Sequence, residues 1–251
     1  YSDIVILISK SEKKHYKNLG YDKYNAKQYV IYNSYQPKFD FIENKNDYKS
    51  NNLGYIGRHV PRKRPELPLK GLLHLKNNNG SEINNDNNSI GDNTEIKNIK
   101  IKNIKIKNIK IKNMGVNKNN EYWLDLQKNY NDILQTIEFN TDKSVIDKYW
   151  SDIGVNCITG IYEPFGYTMC ETLDRGKPAI VQNIDGPIEI VDKLKEYVYV
   201  YDVDQDIEKD ISNFAKAVEK FWNTSPEQRK INAIKARKAL DRFRPEVIKE
   251  D

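Results

Sequence analysis

Two carboxylates, Glu163 and Glu171, stand eight positions apart on either side of a Pro-Phe-Gly turn. The sequence predicts a loop through Gly166 followed by a helix, which places one carboxylate in the loop and the other on the helix. The backbone N–H groups of Gly166, Tyr167 and Thr168 then point outward at the helix N-terminus, where unpaired donors and the positive end of the helix dipole favour a phosphate. The flanking carboxylates can accept hydrogen bonds from sugar hydroxyls. The pattern therefore predicts a nucleotide-sugar site.

A second string, Asp185 to Val191, follows about a dozen residues later. Together the two strings resemble the E-x7-E donor motif of family 4 retaining glycosyltransferases with the GT-B fold, the group that includes glycogen-synthase-like enzymes. The residues that fit the family pattern are Glu163, Pro164, Phe165, Gly166, Glu171, Gly176, Pro178, Gly186, Pro187, Glu189, Ile190 and Val191. The competing interpretation, an ordinary loop, helix and strand with solvated acids, does not account for so many matches at fixed spacing.

A basic loop after an apolar strand supports the resemblance. Residues 53–63 resemble the strand and loop of the same family in which an arginine and a lysine bind the donor diphosphate, and Arg58 and Lys63 occupy those positions. Gly57 ends the strand and permits a sharp turn beneath a ligand. The chain departs from the family at Arg64, where glycine is common. Taken alone, such a loop would be interpreted as a solvated surface.

The resemblance extends to the start of the chain. Residues 2–34 predict a strand, a capped helix and a second strand, similar to the last β-α-β unit of the family's N-terminal domain. We therefore expect residues 1–48 to form the end of an acceptor-binding domain and a linker. Residues 49–251 are expected to form the nucleotide-sugar-binding domain, a Rossmann-like parallel α/β sheet with helices on both faces. A complete two-domain enzyme needs roughly 350 residues or more, so we expect most of the acceptor domain to lie outside this sequence.

Composition limits the remaining classes of protein. The two cysteines, Cys157 and Cys170, are too few for a disulfide framework or a zinc site, and we expect reduced core thiols. The apolar runs, such as Ile4 to Ile8, are far shorter than a membrane span, and no signal peptide is evident. These features predict a cytoplasmic protein without a transmembrane segment, and peripheral membrane contact through the acceptor domain stays open.

The net charge of +5 has a local origin. A repeat of Ile, Lys and Asn over residues 96–113 contributes seven lysines and no acid, and the chain without these lysines has a net charge of −2. The repeat carries no aromatic residues on which bases could stack, so nucleic-acid binding is not predicted. Residues 77–95 are rich in Asn, Ser, Gly and Asp, and a low-complexity insert is expected at about residues 77–108.

The pentad spacing of this repeat conflicts with a regular strand. Ile99 and Ile101 would face one side, the next pair would face the other, and Ile109 and Ile111 would return to the first. Only one copy can therefore form a well-registered strand, and Ile109 to Met114 is the best candidate because Gly115 follows. The alternative is a β-prone aggregation segment at an exposed sheet edge.

The downstream elements follow ordinary signals. We expect helices from Tyr122 to Gln135 and from Ser144 to Trp150. A capped final helix is expected from Ser225 to Phe243. Expected strands lie at Thr136–Phe139, Val155–Ile158, Ala179–Gln182 and Tyr197–Tyr201. A core-facing stripe is predicted at Ile207, Ile211, Phe214, Val218, Phe221 and Trp222.

Two motifs have competing interpretations. The sequence Asp202-Val203-Asp204 could bind a metal, but after an edge strand a solvated turn is the better interpretation. His59 is expected to be structural, although it stands close enough to the basic loop to donate to a phosphate.

The resemblance implies transfer of a sugar from a nucleoside-diphosphate donor with retention of configuration. It assigns Glu163, Arg58 and Lys63 to catalysis. It assigns donor binding to Gly57, Phe165, Gly166, Tyr167, Thr168 and Glu171. No metal or other cofactor is implied. The acceptor, whether glycan, lipid or protein, is not specified, and this chain alone is expected to be inactive.

Two other classes of protein share features with this sequence. A degenerate protein that only binds nucleotide sugars would need neither the acceptor domain nor turnover. A phosphorylase using pyridoxal phosphate shares the fold but needs a cofactor lysine in a different local sequence, which is not present.

Overall fold

The computed structural model describes residues 3–38, 48–80, 109–115, 121–138 and 142–248. The strands in these ranges are β1 (Ile4–Leu7), β2 (Lys27–Val30), β3 (Leu53–Ile56), β4 (Ile111–Gly115), β5 (Leu134–Glu138), β6 (Val155–Ile158), β7 (Ala179–Gln182) and β8 (Tyr199–Tyr201). The α-helices are α1 (Lys10–Asn18), α2 (Glu66–Gly80), α3 (Glu121–Asn129), α4 (Lys143–Asp152), α5 (Tyr167–Asp174), α6 (Asp185–Val191), α7 (Ile207–Trp222), α8 (Pro226–Arg237) and α9 (Pro245–Ile248).

The main sheet has six strands in the order β5-β4-β3-β6-β7-β8, and each neighbouring pair is parallel. This arrangement confirms the predicted Rossmann-like α/β fold. The chain runs from β3 outward through β4 and β5, and then returns to build β6, β7 and β8 on the other side of β3. Strand order therefore reverses between β3 and β6. In open parallel sheets, ligands bind beyond the carboxyl ends of the strands at such a reversal.

Helices cover both faces of this sheet because its buried strands are apolar on both sides. On one face, Leu72 of α2 and Phe214 of α7 pack against the strands, and both side chains are fully buried. On the other face, Met169 and Leu173 of α5 pack with Leu240. A smaller cluster beneath α4 completes the core; its members are Met114, Tyr149, Trp150 and Ile153.

The lysine-rich repeat contributes one strand, β4, to the interior of the sheet. β4 begins at Ile111, two residues later than expected, and pairs with β3 on one side and β5 on the other. This copy is therefore not an exposed edge. The expected low-complexity insert lies almost entirely outside the described residues, except that residues 77–80 continue α2.

The helix expected from Tyr122 to Gln135 is shorter than predicted. α3 ends at Asn129, and Leu134 and Gln135 instead belong to β5, where they pair with Ile111 and Lys112 of β4. Tertiary pairing with β4 therefore outweighs the helical pattern at these two residues.

Helix starts in the last third of the chain agree with the sequence. The Ser225 hydroxyl accepts a hydrogen bond from the Gln228 N–H at 3.2 Å at the start of α8. The α-helix ends at Arg237, and residues 238–243 continue it as a 3-10 helix. Five members of the predicted stripe on α7 are buried, whereas Ile207, in its first turn, is 64% exposed.

The first strands form a separate two-stranded parallel sheet. β1, α1 and β2 make the predicted β-α-β unit, in which Ile4 pairs with Lys27 and Leu7 with Val30. The Ser9 hydroxyl caps α1 by accepting from the Glu12 N–H at 3.0 Å. Helix α1 lies against α6 and thereby places this unit beside the carboxyl ends of the main sheet.

Candidate functional site

A narrow pocket of about 40 Å³ lies where strand order reverses, beyond the carboxyl ends of β3 and β6. It is built from three segments: the end of β3 with the basic loop, the loop after β6, and the start of α5. Its lining residues are Tyr55, Ile56, Gly57, Lys63, Cys157, Ile158, Thr159, Gly160, Glu163, Gly166 and Thr168. The pocket therefore brings together residues that are about 100 positions apart in sequence.

Lys63 and Glu163 form an ion pair in this pocket between the lysine Nζ and the glutamate Oε2. Both side chains are largely buried, with 19% and 24% of their surfaces exposed. Burial, followed by the positive charges of Arg62 and Arg58, lowers the pKa of Lys63 to about 8. Lys63 is therefore a cation at neutral pH, held in place by the carboxylate.

The N-terminus of α5 faces the same pocket through Gly166 and Thr168. Gly166 precedes the helix with φ of +102°, and no side chain caps the first turn. The first N–H groups of a helix have no acceptor within the helix, so those of α5 are donors available to an anion. A Cβ at Gly166 would lie 2.8 Å from Cγ of Pro187, which explains the absence of a side chain at this position.

The basic loop is bonded to the loop after β6. The Thr159 hydroxyl lies 3.0 Å from the carbonyl oxygens of both Lys63 and Arg64, and the Ile161 N–H donates to the Arg62 carbonyl at 2.9 Å. These contacts fix the backbone on which Lys63 is carried relative to the loop that leads to Glu163.

The Glu163 loop is held from its other side by the start of α6. The Glu163 carbonyl accepts from the Gly186 N–H at 2.9 Å. A Cβ at Gly186 would meet the Pro164 carbonyl oxygen at 2.2 Å, so only glycine permits this approach. The Asp185 carboxylate adds bonds to the N–H groups of Tyr162, at 2.7 Å, and Glu163, at 3.4 Å.

Arg58 and Glu171 are not among the residues that line this pocket. The Arg58 side chain is exposed beside it, and its charge is close enough to lower the pKa of Lys63. Glu171 lies on α5 three residues after Thr168, about one helical turn farther along. Partial loss of hydration raises the pKa of Glu171, while Arg175 and Lys38 oppose the shift. Its side chain still reaches solvent.

Phe165 and Tyr167, two of the predicted donor-binding residues, are not among the residues that line the narrow pocket. The Phe165 side chain is 2% exposed and packs edge-on against Phe243, so its ring supports the loop from the core side. Tyr167 is 49% exposed at the helix start. His59 is buried and stacked on Trp123, with ring centroids 3.6 Å apart, and its Nε2 lies 2.6 Å from Oδ1 of Asn113. Its role in the structure is therefore packing.

A second cleft, of about 300 Å³, opens between α1 and the Glu163 loop. Glu163 borders both this cleft and the pocket at the strand reversal. The lining of the cleft is mainly apolar and aromatic and comes from Leu7, Ser11, Glu12, His15, Tyr16, Leu19, Tyr21, Tyr162, Glu163, Pro164 and Asp185. A molecule in this cleft would therefore reach the Glu163 side of the pocket.

Asp202 and Asp204 belong to the turn before α7, as the sequence indicated. Asp204 pairs with Lys209 at 2.7 Å, and Asp202 accepts from the Asn183 amide at 3.0 Å. Within the described ranges, no cluster of three or more His, Cys, Asp or Glu side chains is arranged to hold a metal ion. The same ranges contain no helix with the length and apolar character needed to cross a bilayer.

Sequence patterns missed three residues that support the site. Thr159 joins the two loops, Asp185 binds the backbone before Glu163, and His15 contacts Asp185 from α1. Thr159 follows a buried strand and gives only the general signal of a polar residue at a strand end. The other two meet across 170 positions, so no local pattern reveals their contact.

The chain belongs to the glycosyl transferases group 1 family, whose family model matches residues 37–238. No curated protein sequence matches the chain. The described pocket and the parallel sheet both lie mainly within the matched range.

Solved structures of glycosyltransferases share the fold. Sucrose-phosphate synthase from Thermosynechococcus elongatus superposes with a TM-score of 0.70 at 17% identity, over 99% of this chain and 56% of that one. TarM of S. aureus, solved with fondaparinux, alpha-GlcNAc-glycerol and UDP, superposes with a TM-score of 0.69 at 17% identity. The match covers 99% of this chain and 42% of TarM. HepE from Anabaena, solved with UDP and glucose, superposes with a TM-score of 0.66 at 14% identity. The match covers 100% of this chain and 61% of HepE.

These likenesses place the chain in the GT-B fold class of glycosyltransferases. The chain spans about half the length of the solved structures that it matches, with coverage of 56% and 42% of the first two.

Proposed function

We propose that this chain is the donor-binding part of a retaining glycosyltransferase of family 4, which transfers a sugar from a nucleoside diphosphate to an acceptor. The observation that carries the proposal is the meeting of Lys63, Glu163 and the N-terminus of α5 in one pocket at the strand reversal. The pocket supplies a buried cation and free backbone donors for a diphosphate, next to a carboxylate for sugar hydroxyls. UDP is the first nucleotide to test because TarM and HepE were solved with it.

In this proposal the diphosphate is stabilised by protein groups and not by a metal. Departure of the nucleotide from the sugar builds negative charge on the phosphate oxygens. The Lys63 ammonium, the exposed Arg58 guanidinium and the N–H groups of Tyr167 and Thr168 can all approach this charge. Fixed donors of this kind lower the barrier without reorganising during the reaction.

The two carboxylates of the E-x7-E motif take different roles. Glu163 holds the sugar hydroxyls near the reacting carbon, which is positioning and not acid–base work. Glu171, one turn farther along α5, accepts hydrogen bonds from the ribose hydroxyls. Its position outside the narrow pocket is consistent with a ligand that extends from the sugar, through the diphosphate, to the nucleoside.

The proposal extends to the whole protein. Residues 1–48 contribute the end of an acceptor-binding domain and a linker, and residues 49–251 form the donor domain. The cleft between α1 and Glu163 is the route by which an acceptor reaches the sugar. The protein is proposed to act in the cytoplasm on an acceptor of unspecified class.

The Lys63–Glu163 pair gives the proposal a sharp test. A diphosphate must compete with Glu163 for the Lys63 ammonium. We therefore expect Glu163→Gln to bind free UDP as tightly as the wild type or more tightly, and to bind a UDP-sugar about 10-fold more weakly because hydrogen bonds to the sugar are lost. Lys63→Ala should make the binding free energy of both ligands less favourable by about 1.5–3 kcal/mol, the usual contribution of a charge-assisted hydrogen bond.

Isothermal titration calorimetry with UDP, GDP, ADP and their glucose conjugates, with and without EDTA, measures these effects. Lys112→Ala is a matched control because Lys112 is a partly buried lysine paired with Asp152 outside the pocket. Glu219→Gln, on α7, is the corresponding control for the carboxylate. Equal affinities for the Lys63→Ala variant and the wild type would disprove the site assignment.

A further inference from the structure

Asp185 binds two segments that meet at the Glu163 loop. Its Oδ2 accepts from the N–H groups of Tyr162, at 2.7 Å, and Glu163, at 3.4 Å. Its Oδ1 lies 3.0 Å from Nε2 of His15 on α1. The carboxylate is 8% exposed, so these partners supply most of its polar contacts. A single side chain thus connects α1 with the backbone that carries Glu163.

The backbone at both ends of the first bond is strained. Tyr162 has φ of +56° and Asp185 has φ of +63°, and both values lie in the left-handed region. This region is uncommon for residues other than glycine, and tyrosine adopts it less readily than aspartate. Such strain persists only where surrounding contacts fix the conformation. The bond from the Tyr162 N–H to Asp185 supplies such a contact one residue before Glu163.

Position 185 does not need an aspartate for its backbone conformation. Glycine adopts positive φ without the steric cost that a Cβ introduces. The carboxylate is therefore what aspartate contributes at this position, and its bonded partners are the Glu163 loop and His15.

Helix α1 is attached to α6 at a second point, which makes the His15 contact part of a rigid connection. Glu189 of α6 accepts from the N–H groups of Lys10, at 3.0 Å, and Ser11, at 2.6 Å, at the N-terminus of α1. A carboxylate at a helix N-terminus is favoured by the helix dipole. The ring of His15 also packs against Tyr162, with centroids 5.4 Å apart.

We propose that Asp185 is a positioning residue for Glu163, and that His15 makes this positioning depend on the packing of α1 against α6. When α1 is seated against α6, Asp185 is held where it orients the Tyr162 and Glu163 peptide groups, and the Glu163 carboxylate faces the sugar. The placement of the sugar-binding carboxylate then depends on the β-α-β unit. This inference rests on the proposed function only for the assignment of Glu163 to the donor sugar.

Backbone amide exchange measured by NMR tests the positioning without any ligand. Asp185→Gly should retain the fold because glycine relieves the positive φ, while the Tyr162 and Glu163 amides should exchange about 10-fold faster, since each loses its acceptor. The Met169 amide, which donates to the Gly166 carbonyl at 2.9 Å, is an internal control that should not change. Unchanged exchange at Tyr162 and Glu163 in Asp185→Gly would overturn the proposal, whether or not the wild type binds a nucleotide.

Ligand binding separates positioning from general stability. In Asp185→Gly, affinity for UDP-glucose should fall about 5- to 10-fold while affinity for UDP stays within about 2-fold, because the diphosphate groups are not displaced. Asp185→Asn should recover most of this loss, since its amide oxygen can still accept from Tyr162. An equal loss for both ligands would show a merely structural role and contradict the proposal.

Substitutions on the α1 side test the link through His15. His15→Ala should reproduce part of the Asp185→Gly effect on UDP-glucose, because the carboxylate loses its contact with α1. Asn18→Ala, at the exposed last residue of α1 and outside the lining of both cavities, is the matched control and should leave both affinities unchanged. If His15→Ala binds UDP-glucose as tightly as the wild type, His15 has no part in positioning Glu163, and the proposed link to α1 is overturned.

Discussion

Lys63 shows how the surroundings of one residue determine its chemistry. A lysine in water stays charged well above neutral pH, but burial and the charges of Arg62 and Arg58 lower the pKa of this one to about 8. Neutral pH lies below this pKa, so Lys63 is mainly protonated and pairs with Glu163. Lys63 therefore carries a charge that depends on pH in a range open to measurement.

We predict that affinity for UDP decreases as pH rises from about 8, because the neutral amine replaces the ammonium that pairs with the diphosphate. The sign follows from protonation: the binding-competent form exists below the pKa of the folded protein and is lost above it. Lys63→Arg should remove this decrease, since a guanidinium stays charged throughout. Calorimetry between about pH 7 and pH 9.5 measures the effect. Identical pH profiles for the two proteins would contradict it.

At the scale of elements, the start of α5 is defined by the conformation of Gly166. Its φ of +102° turns the chain from the Glu163 loop into the helix, and Pro187 of α6 occupies the space where a Cβ would lie. The helix N-terminus therefore faces the pocket because the Gly166 backbone packs tightly against Pro187. This arrangement leaves little room for adjustment.

We expect Gly166→Ala to destabilise the protein by about 3 kcal/mol, from left-handed strain of about 1–2 kcal/mol and overpacking against Pro187. Gly20→Ala is a matched control, since Gly20 has φ of +74° but no atom within 4 Å of the added Cβ. The free energy of unfolding of Gly20→Ala should fall only by the cost of the left-handed backbone, about 1–2 kcal/mol. Urea unfolding of both variants measures the difference, and equal losses would show that Pro187 does not limit this position.

At the scale of the whole molecule, Arg229 connects segments that are distant in sequence. Its guanidinium is 3% exposed and donates to the carbonyls of Tyr48, Ser50, Phe221 and Trp222 and to the Asn51 side chain. It thereby attaches the segment before β3 to the end of α7. It helps to hold the start of the main sheet to the C-terminal helices, beside the bond from the Trp222 Nε1–H to the Asn51 carbonyl at 3.1 Å.

We predict that Arg229→Met lowers the free energy of unfolding by about 3–5 kcal/mol, because several buried carbonyls lose their donor. Arg244→Met is the control: Arg244 is more exposed and pairs with Asp241 three residues earlier, so a change below about 1 kcal/mol is expected. Chemical denaturation monitored by tryptophan fluorescence and circular dichroism measures both. A loss of less than about 1 kcal/mol for Arg229→Met would contradict the proposed connection.

The sequence by itself predicted the parallel α/β class through its resemblance to the glycosyltransferase family, and the local alternation of short apolar strands with helices agrees with that prediction. It located β6 and β7 and the Ser225 cap from local patterns. The spacing of its motif indicated Glu163 as a candidate ligand-binding residue, and the family resemblance indicated Lys63.

Only the tertiary structure decided which of the candidates meet. It ended α3 at Asn129 by pairing Leu134 with β4, and it turned the Phe165 ring into the core. It joined Lys63 to Glu163 and His15 to Asp185. These outcomes depend on contacts between residues far apart in the chain, and such contacts arise from the order of strands in the sheet and the packing of helices upon it, which no local pattern encodes.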